Sequence, residues 1–187
     1  MKNEVGPKNL LYPLPTVLVG ANVDGKPNFI TIAHVGILSP GSISLGINKI
    51  HYSNHGIRSN ETFSVNIPST KLVKETDYCG LVTGKCEDKA SKFKVFYGKL
   101  ETAPMIEECP VNMECKLIKT VDFPNHDIFM GEVTATYYDE SVLTDGKVDL
   151  TKLDPILFGM SDKSYYKIGE KFAKAWDVGK ELKNGKC

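Results

Sequence analysis

VLVGANVDGKPNFITIAHV, residues 17–35, is the stretch on which the fold turns. Val17 to Val23 is a mostly apolar run, Asp24-Gly25-Lys26-Pro27 is turn chemistry, and Phe29 to Val35 is a second apolar run. Two such runs around a Gly-containing turn predict a β-hairpin. Working outward, Ser42 to Asn48 puts Ile43, Leu45 and Ile47 on one side of a third strand. Thr62 to Ile67 alternates Phe63, Val65 and Ile67 with Thr62, Ser64 and Asn66 in a fourth. A period of two marks a strand with one buried face.

Between these two strands the short polar segment SNHGIRSN (53–60) reads as one or two turns of helix. After Pro68, Ser69-Thr70 is a cap for a helix from Lys71 to about Cys79, closed by the turn Thr83-Gly84-Lys85. Val111, Met113, Cys115 and Leu117 alternate with polar residues, and Pro124-Asn125 turns the chain into a strand from about Asp127 to Tyr138, so a long antiparallel hairpin is expected. Near the end, Ile168, Phe172, Ala175 and Trp176 fall at helical spacing, which predicts an amphipathic helix over Tyr166 to Leu182, laid on the barrel or on a second subunit.

Many short strands with helices between them predict a mainly β fold, a single domain over residues 1–187: a partly open, Greek-key β-barrel with peripheral helices, in which strand edges are paired. An oligonucleotide-binding domain, a lipocalin-like carrier and a flavin-binding split barrel all meet that description, so function has to come from particular residues.

Charge narrows the field. Lys and Arg number 23 and so do Asp and Glu, with Arg58 the sole arginine, which argues against a nucleic-acid partner. No run approaches the ~18 apolar residues of a membrane span, and the first residues show no leader pattern, so a cytoplasmic location without membrane association is expected. The five cysteines, Cys79, Cys86, Cys109, Cys115 and Cys187, contain no CxxC pair; reduced thiols are expected, and no metal site. There is also no GxGxxG, P-loop, GxSxG or HExxH motif.

Four segments, in this order and spacing, carry a resemblance: PNFITIAHVGILSP (27–40), HYSNHGIRSNETFSVNIP (51–68), DYCGLVTGKCEDK (77–89) and NHDIFMGEV (125–133). Together they are similar to the flavin-reductase-like, FMN-binding split-barrel family, nearest its flavoredoxin branch, and the tail YYKIGEKFAKAWDVGKEL (165–182) extends the similarity over nearly the whole chain.

FMN has a dianionic phosphate, a polar ribityl chain and a flat ring, so its site needs three environments. Ser53 and Asn54 open the short helix, where unpaired backbone N–H groups suit an anion. The resemblance implies that Ser53 is the family's phosphate-binding hydroxyl and that Lys89 supplies positive charge there, with His51, His55 and Arg58 as further candidates. Read alone, the same residues are a helix cap and a solvated lysine. It further implies that Asn28 to Val35 runs along the ring, with Asn28, Thr31, Ile32, Ala33 and His34 in contact, and that Cys79 and Gly80 bring backbone N–H groups to it. At His34 the family often has Trp. The Cys79 thiol reads as a small apolar filler. His126 matches a family histidine that reaches the flavin, and Phe158, Tyr165 and Trp176 are candidates for covering the ring.

The function so implied is an oxidoreductase passing electrons from NADH, NADPH or a reduced carrier through bound FMN to free flavin, ferric iron or a partner protein. No catalytic acid or base is obligatory, because the flavin carries the chemistry. The alternative is a non-catalytic electron-transfer or flavin-storage protein. A homodimer with the flavin at its interface is expected by resemblance.

Overall fold

A computed structural model describes residues 1–183. The predicted hairpin is β1 (Val17–Val23) and β2 (Lys26–Ile32), paired from Val17↔Ile32 to Val23↔Lys26. Its turn is therefore only Asp24-Gly25, with φ of 51° and 78°. Two consecutive positive φ values define the tight turn whose twist matches that of the strands, and Asp-Gly is suited to it.

The second apolar run is not one strand. It breaks at Ala33-His34, and the chain re-enters the sheet as β3 (Val35–Ser39), which pairs with β4 (Ser42–Asn48). Helix α1 (Ser53–Asn60) then leads to β5 (Thr62–Ile67). A single 3-10 turn at Thr70–Leu72 precedes α2 (Val73–Leu81), and β6 (Val111–Asp122) and β7 (His126–Tyr138) form the long hairpin.

These seven strands make one antiparallel sheet in the order β2-β1-β5-β6-β7-β4-β3. The two edges, β2 and β3, are neighbours in sequence joined by Ala33-His34, so the sheet curls into a barrel split along one seam. Greek-key connectivity arises where α1 carries the chain from β4 to β5, beside β1.

The barrel interior is filled by Val17, Val19 and Ala21 of β1, Ile43, Leu45 and Ile47 of β4, Phe63, Val65 and Phe129, with Ile57 of α1 closing one end. Strand β1 lacks alternation because its outer face is covered too: Leu18 joins Phe29, Cys79, Ile106 and Cys109 in a second core beneath α2. α1 lies on β1 because Gly56 has no side chain; a Cβ there would come 2.2 Å from the Asn22 carbonyl oxygen.

Residues 157–166 form a small hairpin, Leu157–Gly159 with Ser164–Tyr166, which pairs with Leu14–Pro15. Beyond it the expected helix over Tyr166 to Leu182 does not form. Tyr166 ends a strand, the chain then runs without regular structure, and only Val178–Leu182 makes a 3-10 turn. Phe172 and Trp176 are 99% and 97% exposed. A short amphipathic helix is stable only when its apolar face is buried, and here the two large apolar side chains of that face, Phe172 and Trp176, are not buried among the described residues. Among the described residues no helix is long and apolar enough to cross a membrane. Cys79, Cys86, Cys109 and Cys115 are free thiols, and Cys187 lies outside the described residues.

Candidate functional site

The seam shapes the site. Ala33 and His34 span the gap between the sheet edges, and the His34 carbonyl accepts from the Gly46 amide of β4 at 2.8 Å. Beside this link lies a cavity of about 270 Å³ lined by Thr31, Ile32, Ala33 and His34, by His51 and Gly80, by His126 at the start of β7, and by Phe158 and Tyr165 of the 157–166 hairpin. An apolar body with polar groups on its rim suits a flat heteroaromatic ring.

Two anchors fix its walls. The Thr31 hydroxyl donates to the Thr76 carbonyl, stitching β2 to α2. The Tyr165 hydroxyl donates to Asp77 at 2.8 Å; burial and then this carboxylate push the phenol up to about 12, so it stays a proton donor. Phe158 and Tyr165 lie 5.9 Å apart between ring centroids, and Tyr12 meets Phe158 edge-on at 6.3 Å. The His34 and His126 rings are 6.2 Å apart on the cavity wall.

A second hollow of about 200 Å³ shares His51 and Gly80 with the first, so the two form one elongated site. Its walls carry Ser53, Cys79 and Lys89. Ser53, the first residue of α1, is 1% exposed, and its hydroxyl accepts from the Asn28 amide at 2.7 Å. Lys89 is 3% exposed, and its ammonium donates to the carbonyls of Cys79 and Val82, at 3.1 and 3.3 Å, at the C-terminal end of α2. Burial pulls the Lys89 ammonium below its ordinary value, and among the described residues no carboxylate pairs with it.

A buried cation is costly unless an anion compensates it. Two carbonyls use two of the three N–H groups of Lys89, leaving one for an anion in the hollow. At the junction, His51 is held below the ordinary imidazole range by burial, then by Lys89 and His126.

Asn54 departs from expectation. Successive helical residues point about 100° apart, so Asn54 faces away from Ser53. Its amide donates to Asp127 at 2.9 Å and to the Asn48 carbonyl at 3.2 Å. Arg58 is likewise bound to Asp122 and Asp127 at 2.8 and 2.9 Å, and exposed His55 pairs with Asp24 at 3.5 Å. The Cys79 side chain lies in the second core and burial pushes its thiol up to about 11, so its contribution to the hollow is its backbone. Trp176 takes no part in the ring cavity, lying in the exposed tail.

Thr16 was invisible to sequence pattern. It is 2% exposed, lines the ring cavity, and its hydroxyl has no hydrogen-bond partner among the described residues. A single Thr just before an apolar run looks like any strand start, and only the fold reveals the orphaned hydroxyl.

The site as built can hold a molecule with a flat ring at one end and an anion at the other. Buried Lys89 without a counter-ion, the Ser53 hydroxyl and the orphaned Thr16 hydroxyl fit FMN. Comparison with known proteins points the same way. A family model described as "Flavin reductase like domain" matches residues 10–164. The structure is similar to that of flavoredoxin from Methanosarcina acetivorans, with 44% identity, a TM-score of 0.95, and 98% of this chain and 100% of that one covered. Flavoredoxin of Desulfovibrio vulgaris (Miyazaki F) is 36% identical with a TM-score of 0.90, covering 96% and 100%. An FMN-binding protein from Thermus thermophilus, 21% identical with a TM-score of 0.79 over 93% and 97%, shares the fold.

Proposed function

The chain belongs to the flavin-reductase-like family, and from that premise we propose that it binds FMN in the elongated site and passes electrons through it. NADH, NADPH or a reduced carrier is the donor, and free flavin, ferric iron or a partner protein the acceptor. One observation carries the reading: a ring-sized cavity runs into a hollow that ends at a buried ammonium with no carboxylate partner among the described residues.

When bound, the flavin supplies the redox chemistry. Lys89, with the Ser53 hydroxyl that Asn28 orients, holds the phosphate; charge-assisted hydrogen bonds of this kind are roughly twice as strong as neutral ones. The Thr31 to His34 segment forms the ring's floor. Tyr165, pinned by Asp77, and Phe158 exclude water from one side. His34 is exposed at the mouth, where an incoming donor or acceptor arrives.

A second reading, an electron carrier with no small-molecule turnover of its own, is supported by the likeness to two flavoredoxins. Purified protein should be yellow and release FMN on denaturation. Anaerobic oxidation of NADH or NADPH by the loaded protein selects the enzyme; a flavin reduced only in the presence of a partner protein selects the carrier. A colourless preparation that takes up no FMN removes both.

We also infer a homodimer with the flavin mouth near its interface. The tail supports it, because the large apolar side chains of Phe172 and Trp176 stand exposed among the described residues. Light scattering at micromolar concentration should give twice the chain mass, and truncation after Tyr166 should reduce it; a monomer throughout would overturn the inference.

A further inference from the structure

Three of the protein's four histidines, His34, His51 and His126, line the ring cavity. Among the described residues, the lining side chains that are hydrogen-bonded are Thr31, Asn48 and Tyr165, and the imidazoles are not. No carboxylate lines the cavity either, and the fourth histidine, His55, is the one with an acidic partner. His51 sits at the junction with the phosphate hollow, which leaves His34 and His126 for whatever meets the ring at the mouth.

An imidazole N–H reaches an acceptor oxygen at about 2.9 Å, which places that oxygen about 4 Å from the ring centre. The two ring centres are 6.2 Å apart. One oxygen between them can therefore accept from both rings, the two donors meeting it about 100° apart, close to the spread of a carbonyl's two lone pairs. The adjoining wall is Phe158, Met160 and Tyr165, so the body that carries the oxygen is flat and apolar. No lysine or arginine lines this cavity, and in the FMN reading the Lys89 ammonium beyond it holds the phosphate. A full anion at the mouth would find donors but no neutralising charge.

Resting on the FMN reading above, we propose that His34 and His126 together bind the carbonyl oxygen of the electron acceptor, a flat conjugated carbonyl compound that meets the flavin at the mouth of the ring cavity. In its reduction, hydride supplied by reduced flavin bonds to the β-carbon and the C=C electron pair shifts toward the carbonyl. The oxygen takes the negative charge between two N–H donors, and a proton from water returns at the α-carbon. One hydride and one proton thus saturate the double bond and leave the flavin oxidised. Donors fixed where charge develops favour such a step.

Cinnamaldehyde is the probe, with β-methylstyrene, which lacks the oxygen, and cinnamate, the anion, as controls. Binding to oxidised, FMN-loaded protein is read from the flavin spectrum. His34→Phe and His126→Phe, in separate elements, should each weaken cinnamaldehyde about fivefold and leave FMN within about twofold. His34→Gln, which keeps a donor, should restore most of the loss. Added anaerobically to photoreduced protein, cinnamaldehyde should reoxidise the flavin and yield 3-phenylpropanal. Four results overturn the proposal: cinnamate binding more tightly than cinnamaldehyde; an equal loss for β-methylstyrene in the Phe variants; FMN weakened as much as cinnamaldehyde, which gives the imidazoles to the flavin's own carbonyls; or bound cinnamaldehyde that leaves the flavin reduced. In FMN-free protein, cinnamaldehyde should shift the ring-proton NMR signals of both histidines, and their silence also overturns it. The same shifts in a protein that takes up no FMN would remove the flavin reading and keep the donor pair.

Discussion

The two ends of the elongated site are built on opposite plans. At the phosphate end the two polar side chains that would hold an anion are buried and already tied: Ser53 to Asn28, and Lys89 to the carbonyls of Cys79 and Val82. At the ring end His34 is exposed, and the Thr16 hydroxyl is buried with no partner among the described residues. The first arrangement loses little entropy when an anion arrives, because its donors are already ordered. The second stays open to a partner and leaves the hydroxyl of Thr16 to be satisfied by a ligand. Binding strength should therefore reside at the phosphate end, and reactivity at the ring end.

The sharpest way to break this contrast is Lys89→Met. It should weaken FMN by on the order of 100-fold, measured by quenching of flavin fluorescence. Riboflavin, which has no phosphate, should lose almost nothing. Equal losses for both would mean that Lys89 only caps α2. Ser53→Ala follows at about tenfold, again for FMN and not riboflavin; if both ligands weaken together, the hydroxyl is not a phosphate group.

Thr16→Val tests the ring end and carries two signs at once. Removing a buried hydroxyl without a partner should stabilise the FMN-free protein by about 1 kcal/mol, seen in denaturant melts. The same change should weaken FMN by about fivefold. Lower stability together with unchanged FMN affinity would show that the hydroxyl serves the fold.

The smallest effect belongs to His51, at the junction. Because burial, Lys89 and His126 hold its folded value below the ordinary 6.5, the unfolded chain binds more protons in the window beneath 6.5. The stability of the FMN-free protein should therefore be complete above that window and decline as pH falls through it. His51→Gln should flatten the decline in thermal melts between about pH 7 and 5. An unaltered slope would place the proton elsewhere.

Sequence made the barrel legible because alternation survives wherever one face of a strand meets solvent, as along β4 and β7. It was weaker where both faces are covered. β1 reads as an undivided apolar run, and the break at Ala33-His34 is hidden because the residues on either side are equally apolar. At the site, Asn28, Ser53 and Lys89 were found through local motifs, and the structure brings them together across long separations. Asn54 shows the limit of such reading: adjacency in a motif is not adjacency in space once the chain is helical. Over the tail, helical spacing was present in the letters, but Phe172 and Trp176 are left exposed and the spacing goes unrewarded.

The pairing of Gly46 N–H with the His34 carbonyl gives the protein a natural gauge. The bond extends the β3–β4 ladder by one rung beyond Val35↔Leu45, so it ties the connector to the β3 side of the split and holds His34 on the cavity wall. The exchange rate of the Gly46 amide with solvent deuterium would thus track how often that wall of the ring cavity opens, and its slowing on addition of FMN would read how far an occupied pocket steadies it.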